Sequence, residues 1–244
     1  MTVSPHSAMV LAAGLATRMR PLTDNTAKPL LPLGGRPLLD HALDRLAAAG
    51  VETAVVNTHW HAERVAAHLA ARPRNGLRIV LRGEGELLDT GGAVRAALDL
   101  LGPAPFYIVN GDTFWLDGPT PALARLAASW SDATDAMLLV HRTFQVRGGA
   151  DAGDFALDQL GRVRRRGPAE IVPYLYAGVQ LASPALFAAA PAGRFSMNHV
   201  WDHAIAAARL AAVVHDGLWF HLSTPPDLAD AESALQARSA GRAR

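Results

Sequence analysis

The sequence predicts an α/β fold: a Rossmann-like, doubly wound and mostly parallel sheet that carries a smaller second lobe. Apolar runs alternate with stretches of helical periodicity from Ala8 to His141, which is the rhythm of parallel strands joined by right-handed crossovers. The first run, Ala8–Ala13, is apolar throughout, as expected for a central strand buried on both faces. The chain has 244 residues, 50% of them apolar, which is enough for one large domain.

Five short apolar runs predict the strands of the first part. Each is bounded by turn-forming or polar residues, which is typical of buried strands. The strands are expected at Ala8–Ala13, Thr53–Asn57, Leu77–Leu81, Phe106–Asn110 and Ala136–His141. Ligands of such sheets bind beyond the carboxyl ends of the strands, where Gly14 and the Gly111-Asp112 turn fall.

The stretches between these runs have apolar residues three or four positions apart, which predicts amphipathic helices. Leu39, Leu43 and Leu46 form such a stripe, and Gly50 follows as a helix stop. The helices are expected at Pro37–Ala49, Ala62–Ala71, Gly91–Leu101 and Pro121–Ser129.

After His141 the pattern changes to short strands and turns, which predicts a smaller lobe covering the mouth of the sheet. Two hairpins are expected, one around Gly161 and one around Asp216-Gly217, a strong hairpin signal. The expected strands are Phe155–Leu157, Val163–Arg165, Leu175–Leu181, Ala211–His215 and Trp219–Leu222. The expected helices are Pro184–Ala190, Val200–Ala208 and a closing helix over Pro225–Arg238.

Composition excludes several classes of protein. The formal net charge is +1, so the basic excess of a nucleic-acid binder is absent. Cysteine is absent, which excludes disulfides, cysteine–zinc sites and thiol nucleophiles. The early apolar run is too short to span a bilayer and lacks preceding Lys or Arg, so we expect a cytoplasmic protein without a membrane anchor. The oligomeric state stays open.

The segment after the first strand predicts a polyphosphate site. Gly14 and Ala16 are small and let backbone N–H groups approach an anion closely. Arg18 offers a planar fork for phosphate oxygens, and Lys28 offers a compact ammonium. Lys28 is the single lysine among 23 basic residues, which either marks a place where a compact ammonium is needed or is a chance survival on the surface. Neither a Walker A motif nor a dinucleotide-binding glycine motif is present.

This segment resembles the signature of sugar-1-phosphate nucleotidyltransferases, LAAGxGTR[LM]xPLT followed by PKP or a close variant. The match runs from Leu11 to Thr23 and continues at Ala27-Lys28-Pro29. Glu86–Gly92 resembles the family's base-contacting segment, and Val109–Asp112 resembles the strand end that carries its metal-binding aspartate. The resemblance implies the nucleotide-diphospho-sugar transferase fold in one domain, 1–238. Its nucleotide-binding part would be about 1–142, its sugar-binding part about 143–224 and its closing helix 225–238, with a flexible tail at 239–244.

The resemblance implies transfer of a nucleotidyl group from a nucleoside triphosphate to a sugar 1-phosphate, with release of pyrophosphate. No covalent nucleophile is required, and catalysis is mainly alignment and charge neutralisation. The residues implied to be catalytic are Arg18, Lys28 and Asp112. Those implied to contact the nucleotide are Ala12, Ala13, Gly14, Leu15, Ala16, Thr17, Glu84, Thr90 and Gly91.

The sugar side is less defined, because relatives use a second lysine that this chain lacks. Arg147 or the run Arg164–Arg166 would substitute, although that run is also typical of a solvated hairpin face. The candidate sugar contacts are Asn110, Arg147, Asp154, Tyr176 and Asn198. His59-Trp60-His61 follows the second strand, and we interpret it as structural or surface rather than metal-binding.

Asp112 is expected to hold Mg²⁺, which prefers oxygen ligands. His221 stands where related short enzymes have a second metal carboxylate. Three alternatives stay open: His221 is a ligand and Mn²⁺ or Co²⁺ supports activity better than Mg²⁺, Asp112 acts with phosphates and water, or His221 only packs in the mouth.

Within the family, the short members that the whole chain resembles most are N-acetylmuramate 1-phosphate uridylyltransferases of bacterial cell-wall recycling. This favours UTP and that sugar phosphate as substrates. A GTP-dependent mannose- or heptose-1-phosphate guanylyltransferase is the alternative, since Thr224-Pro225-Pro226-Asp227 resembles the tail of those enzymes. A catalytically weak nucleotide-sugar-binding regulatory subunit is a further alternative, motivated by His221.

Overall fold

The computed structural model describes residues 3–73, 75–146 and 152–242. Its strands are β1 (Ser7–Leu11), β2 (Pro32–Leu33), β3 (Arg36–Pro37), β4 (Thr53–Thr58), β5 (Arg78–Gly83), β6 (Phe106–Asn110), β7 (Phe114–Leu116), β8 (Ala136–Arg142), β9 (Phe155–Leu157), β10 (Val163–Arg165), β11 (Tyr174–Ala182), β12 (Leu210–Val214) and β13 (Leu218–Phe220). Its α-helices are α1 (Leu38–Ala48), α2 (Ala62–Ala71), α3 (Asp89–Ala96), α4 (Leu98–Leu101), α5 (Ala122–Ser129), α6 (Met197–Ala206) and α7 (Pro225–Arg242).

The main sheet is mostly parallel, as predicted. Strands β5, β4, β1 and β6 lie side by side and run parallel. Strand β11 follows antiparallel to β6 and to β8, and β12 adds parallel to β8. The hairpin of β9 and β10 joins the beginning of β11 and has the predicted bounds. The carboxyl ends of β1, β4 and β6 therefore meet at one edge of the sheet.

Helices cover both faces of this sheet, because the side chains of β1 alternate between two apolar clusters. Ala8 and Val10 are fully buried against α1, α2 and α5, whereas Met9 is fully buried against α3, α4 and α6. A third cluster lies at the edge and joins the loop after β1 to β7 and α7. Among the described residues, no helix is both long and apolar enough to cross a membrane.

The predicted hairpin around Asp216-Gly217 is wrong. Strand β12 pairs with β8, and β13 pairs antiparallel with β7. The turn packs against β7 so closely that a Cβ on Gly217 would lie 2.0 Å from the Leu116 carbonyl oxygen. Because β8 offers β12 a long partner in the main sheet, the two strands beside the turn go to different sheets.

Some predicted helix bounds also differ. The helix expected over Gly91–Leu101 is divided into α3 and α4 at Ala97, where the backbone leaves helical geometry. The helix expected over Pro184–Ala190 is a 3-10 turn at Pro184–Phe187. The closing helix α7 continues to Arg242, through part of the segment predicted as a tail.

Candidate active site

A cavity of about 490 Å³ opens at the carboxyl ends of β1, β4 and β6. The topology brings together here the loop after β1, the segment after β5 and the turn after β6. The predicted site residues that line the cavity are Ala12, Ala13, Gly14, Ala16, Thr17, Arg18, Lys28, Glu84, Thr90, Asn110 and Asp112. The structure thus gathers most of the predicted nucleotide and catalytic residues around one space.

The loop after β1 is shaped to receive an anion. A Cβ on Gly14 would meet no protein atom within 4 Å, so the missing side chain leaves its backbone open to the cavity. Ala16 takes a left-handed conformation with φ of 48°, and the Thr23 hydroxyl donates to its carbonyl oxygen at 3.0 Å. The 3-10 turn Thr17–Met19 then places Arg18 on the cavity wall.

Lys28 and Asp112 form an ion pair at the centre of the site, with Nζ and Oδ2 2.6 Å apart. The Lys28 side chain is only 13% exposed, whereas the Asp112 carboxylate is 32% exposed. Gly111 allows this approach, because its N–H donates to the Leu11 carbonyl at 2.8 Å and a Cβ there would lie 3.1 Å from the same oxygen. The loop after β1 and the turn after β6 are therefore held against each other.

The other side of the cavity is held by an amide–carboxylate pair. Asn57 Oδ1 accepts from the Ala12 N–H at 2.7 Å, and its Nδ2 donates to Glu84 Oε1 at 2.7 Å. Glu84 Oε2 accepts from the Leu88 N–H at 3.0 Å. Both Glu84 oxygens are thus bonded within the protein, although the residue was predicted to face the base.

The remaining two predicted nucleotide residues are not among those lining the cavity. Leu15 is 40% exposed to solvent. Gly91 is buried, and its N–H donates to the Phe195 carbonyl at 2.9 Å. A Cβ on Gly91 would lie 2.4 Å from the Phe195 ring, so this glycine allows α3 to pack closely.

Of the predicted sugar contacts, Asn110 lines the cavity and Arg147 lies outside the described residues. Asp154 directly precedes β9, and Tyr176 lies on the neighbouring β11; Asp154 Oδ2 accepts from the Tyr176 N–H at 2.9 Å. Burial raises the pKa of the Tyr176 phenol well above its ordinary value. Asn198 Oδ1 accepts from Arg165 on the outer face of α6. These last three residues are not among those lining the cavity.

Arg164 and Arg165 of the arginine run in the second lobe form surface ion pairs. Arg164 binds both oxygens of Glu170, and Arg165 pairs with Asp202 while lying over the Phe155 ring. Arg164 is therefore held on the hairpin and Arg165 against α6, away from the cavity.

His221 lies beside the site rather than among the residues that line it. Its Nε2 is 2.7 Å from Ser223 Oγ, and the ring borders a second cavity of about 440 Å³ between β13 and α7. Ser223 itself lines the main cavity. Within the described part of the chain, no group of three or more metal-ligating side chains comes together.

The donors that face the cavity nevertheless suit a hard cation. Asp112 supplies a partly exposed carboxylate, and Asn110 and Ser223 line the same cavity with oxygen-bearing side chains. Mg²⁺ prefers oxygen ligands and keeps several of them from water or phosphate. One protein carboxylate with substrate phosphates therefore fits this metal.

The structure adds lining residues that the sequence analysis did not single out, among them Asn57, Asp89, Arg194 and Ser223. Asn57 ends a predicted parallel strand, so the rule that ligands bind beyond strand ends was a signal for it. Arg194 lies in an irregular segment before α6, and no periodicity or motif marks it. It brings a third cationic side chain to the cavity, beside Arg18 and Lys28.

A family model described as nucleotidyl transferase matches residues 7–147 of this chain. The chain belongs to that family. A full-length relative is the N-acetylmuramate alpha-1-phosphate uridylyltransferase of Caulobacter vibrioides, 43% identical over 96% of this chain and 99% of that protein. The mannose-1-phosphate guanyltransferase of Aspergillus fumigatus is 35% identical, over 51% of this chain and 35% of that protein.

Solved structures support the fold of this nucleotidyl transferase. The inositol-1-phosphate CTP transferase from T. maritima superposes with a TM-score of 0.78 over 96% of this chain and 97% of that one, at 17% identity. The predicted nucleotide-diphospho-sugar transferase fold is confirmed. The family transfers nucleotidyl groups to sugar 1-phosphates, so the predicted enzyme class is confirmed as well.

Proposed function

We propose that this nucleotidyl transferase moves a uridylyl group from UTP to N-acetylmuramate α-1-phosphate and releases pyrophosphate. The observation that carries this proposal is the match to the uridylyltransferase of Caulobacter vibrioides, which extends over 96% of this chain and so includes the second lobe, where the sugar is expected. The product is a nucleotide-sugar for cell-wall recycling, and the reaction takes place in the cytoplasm, where nucleoside triphosphates are available.

The chain's own residues would do this by alignment and charge neutralisation, because both substrates are anions. The open backbone at Gly14 and the guanidinium of Arg18 receive the β- and γ-phosphates. Lys28, held in place by Asp112, directs its ammonium at the reacting phosphates. Ala12 and Ala13 lie against the nucleoside, and Thr90 borders the side that receives the base.

We propose that Asp112 holds Mg²⁺ together with phosphate oxygens and water. The bound cation would supply charge neutralisation at the α-phosphate. His221 is placed to orient the Ser223 hydroxyl, which supports the alternative in which Asp112 acts without a second protein ligand. Arg147 or Arg194 would meet the sugar phosphate in place of the second lysine.

The guanylyltransferase alternative has weaker support. The mannose-1-phosphate guanyltransferase match covers 51% of this chain, so it says little about the sugar side. Base choice depends on a few hydrogen bonds in the segment after β5, and loops of similar shape serve different bases.

The test is pyrophosphate release measured for UTP, GTP, CTP and dTTP, each with N-acetylmuramate α-1-phosphate, mannose 1-phosphate and glucose 1-phosphate, with Mg²⁺. We expect release to be fastest for UTP with N-acetylmuramate α-1-phosphate. Faster release from GTP with mannose 1-phosphate would favour the guanylyltransferase. Nucleotide binding without release in any combination, with Mn²⁺ and Co²⁺ also tried, would favour a regulatory subunit.

A further inference from the structure

The segment after β4 connects the two halves of the nucleotide cavity. On one side, Trp60 Nε1 donates to the Thr23 carbonyl at 3.2 Å, and His61 Nε2 lies 3.2 Å from the Asp24 carbonyl. On the other side, His59 Nδ1 lies 2.9 Å from the Glu84 carbonyl. His59-Trp60-His61 therefore contacts both the loop after β1 and the segment after β5.

Asn57 is the centre of this connection. Its side chain is almost fully buried, at 3% exposure of the residue, and it bonds one residue on each side of the cavity. The orientation of its amide follows from the partners: the Ala12 N–H requires an acceptor, and the Glu84 carboxylate requires a donor. Reversing the amide would place its NH₂ group against the Ala12 N–H, donor against donor, and its oxygen against the Glu84 carboxylate, acceptor against acceptor.

Glu84 continues the connection to the segment that receives the base. Its second oxygen accepts the Leu88 N–H, one residue before α3, and α3 carries Thr90 on the cavity wall. Three hydrogen bonds of 2.7, 2.7 and 3.0 Å thus run from Ala12 through Asn57 and Glu84 to Leu88.

We propose that Asn57 and Glu84 are a positioning pair, which fixes the distance between the phosphate-binding loop and the base-binding segment at the value a nucleoside triphosphate needs. This rests on the proposed use of the cavity for a nucleoside triphosphate. It replaces the predicted role of Glu84 as a direct base contact. A ligand that spans both sides, such as UTP, depends on the pair, whereas inorganic tripolyphosphate uses only the loop after β1.

The pair can be broken and rebuilt with nearly isosteric changes. Asn57→Asp places two carboxylates together, and Glu84→Gln leaves either Asn57 Nδ2 or the Leu88 N–H without an acceptor. In the double variant, the introduced aspartate accepts from the Ala12 N–H and from the amide of the introduced glutamine, whose carbonyl accepts from the Leu88 N–H. Every hydrogen bond returns, with the direction of the central one reversed.

The experiment measures dissociation constants of UTP and inorganic tripolyphosphate by calorimetry, with GTP as a second nucleotide. Each single variant should weaken UTP binding about tenfold, the usual cost of an unmade buried hydrogen bond, and tripolyphosphate binding less than about twofold. The double variant should return UTP affinity to within about threefold of wild type. Asn75→Asp and Glu63→Gln, exposed on the outer side of the molecule, are the matched controls.

Equal weakening of UTP and tripolyphosphate would overturn the proposal, since it would indicate general damage to the loop. A double variant that melts like wild type yet binds UTP as poorly as the singles would also overturn it. Because binding is measured without turnover, a wild-type chain that binds nucleotide but releases no pyrophosphate contradicts only the proposed reaction. A wild-type chain that binds no nucleoside triphosphate contradicts both.

Discussion

At the scale of single residues, Lys28 is the clearest case in which residue type matters beyond charge. The chain has one lysine, and it is more buried than Arg18 and Arg194, the other two cations that line the cavity. An ammonium is a compact point charge, whereas a guanidinium is a wide planar fork. At 13% exposure and 2.6 Å from Asp112, the side chain has little room for the wider group.

Lys28→Ala should therefore lower kcat by about 100-fold or more, the range seen when one donor to developing charge is removed. Lys28→Arg should lower it by about tenfold despite the retained charge. Both variants should still fold and melt in a single cooperative transition, because the Asp112 carboxylate stays 32% exposed to water when its partner is removed. Arg162→Ala, which removes an exposed cation paired with Asp158, is the control. Wild-type turnover in Lys28→Arg would contradict the geometric argument.

The role of His221 is tested by the choice of metal. If Asp112 acts with phosphates and water, His221→Asn should leave the ratio of Mn²⁺- to Mg²⁺-supported turnover within about twofold of wild type. Loss of the bond to Ser223 should still raise the KM of the nucleotide or of the sugar phosphate, because Ser223 lines the cavity. Titration of both nucleotide-bound proteins with Mn²⁺ compares their metal affinities, which tests the same question without turnover. A marked shift towards Mg²⁺ would instead identify His221 as a ligand.

At the scale of elements, local patterns predicted the strands well and their partners less well. The β9–β10 hairpin was predicted with its bounds, because its turn and both strands are neighbours in sequence. The second hairpin was wrong, because β12 finds its partner in β8, far along the chain. An Asp-Gly turn reports only local geometry, so it cannot reveal such a distant partner.

The turn between β12 and β13 gives a stability prediction. In Gly217→Ala the new methyl would lie 2.0 Å from the Leu116 carbonyl oxygen and 2.7 Å from the Gly118 nitrogen. Since backbone atoms cannot move aside cheaply, the free energy of unfolding should fall by about 2 kcal/mol or more. Thermal unfolding measures it. Gly83→Ala is the control, because a Cβ there meets no atom within 4 Å. Equal melting temperatures for both variants would contradict the predicted clash.

At the scale of the whole molecule, the site assembles from loops that the sequence does not relate to one another. The signature motif and the separate match at Val109–Asp112 were enough to predict that Arg18, Lys28 and Asp112 share one cavity. Each match is local, and β1 and β6 end at the same edge of the sheet. Arg194 and Ser223 reach the same cavity through the second lobe and the segment after β13. Their positions depend on how the lobes pack, which periodicity does not describe.

Packing between the lobes also creates a dependence of stability on pH. His141 on β8 and His215 after β12 are buried with their rings 5.9 Å apart, and Trp219 packs against His141. Burial, with smaller contributions from His215 and Arg142, lowers the pKa of His141 from 6.5 to about 4. Burial also lowers the pKa of His215.

The sign of the effect follows from these pKa values. Below about pH 6.5 His141 is protonated in the unfolded chain but stays neutral in the folded protein. The free energy of unfolding is therefore highest above that pH and falls towards pH 4. His141→Phe should flatten the curve of melting temperature against pH between about 6.5 and 4.5, because a neutral ring replaces the titrating one and Nδ1 has no hydrogen-bond partner to lose. His203→Phe, exposed on α6, should keep the wild-type slope. An equally steep curve in His141→Phe would place the acid sensitivity elsewhere in the fold.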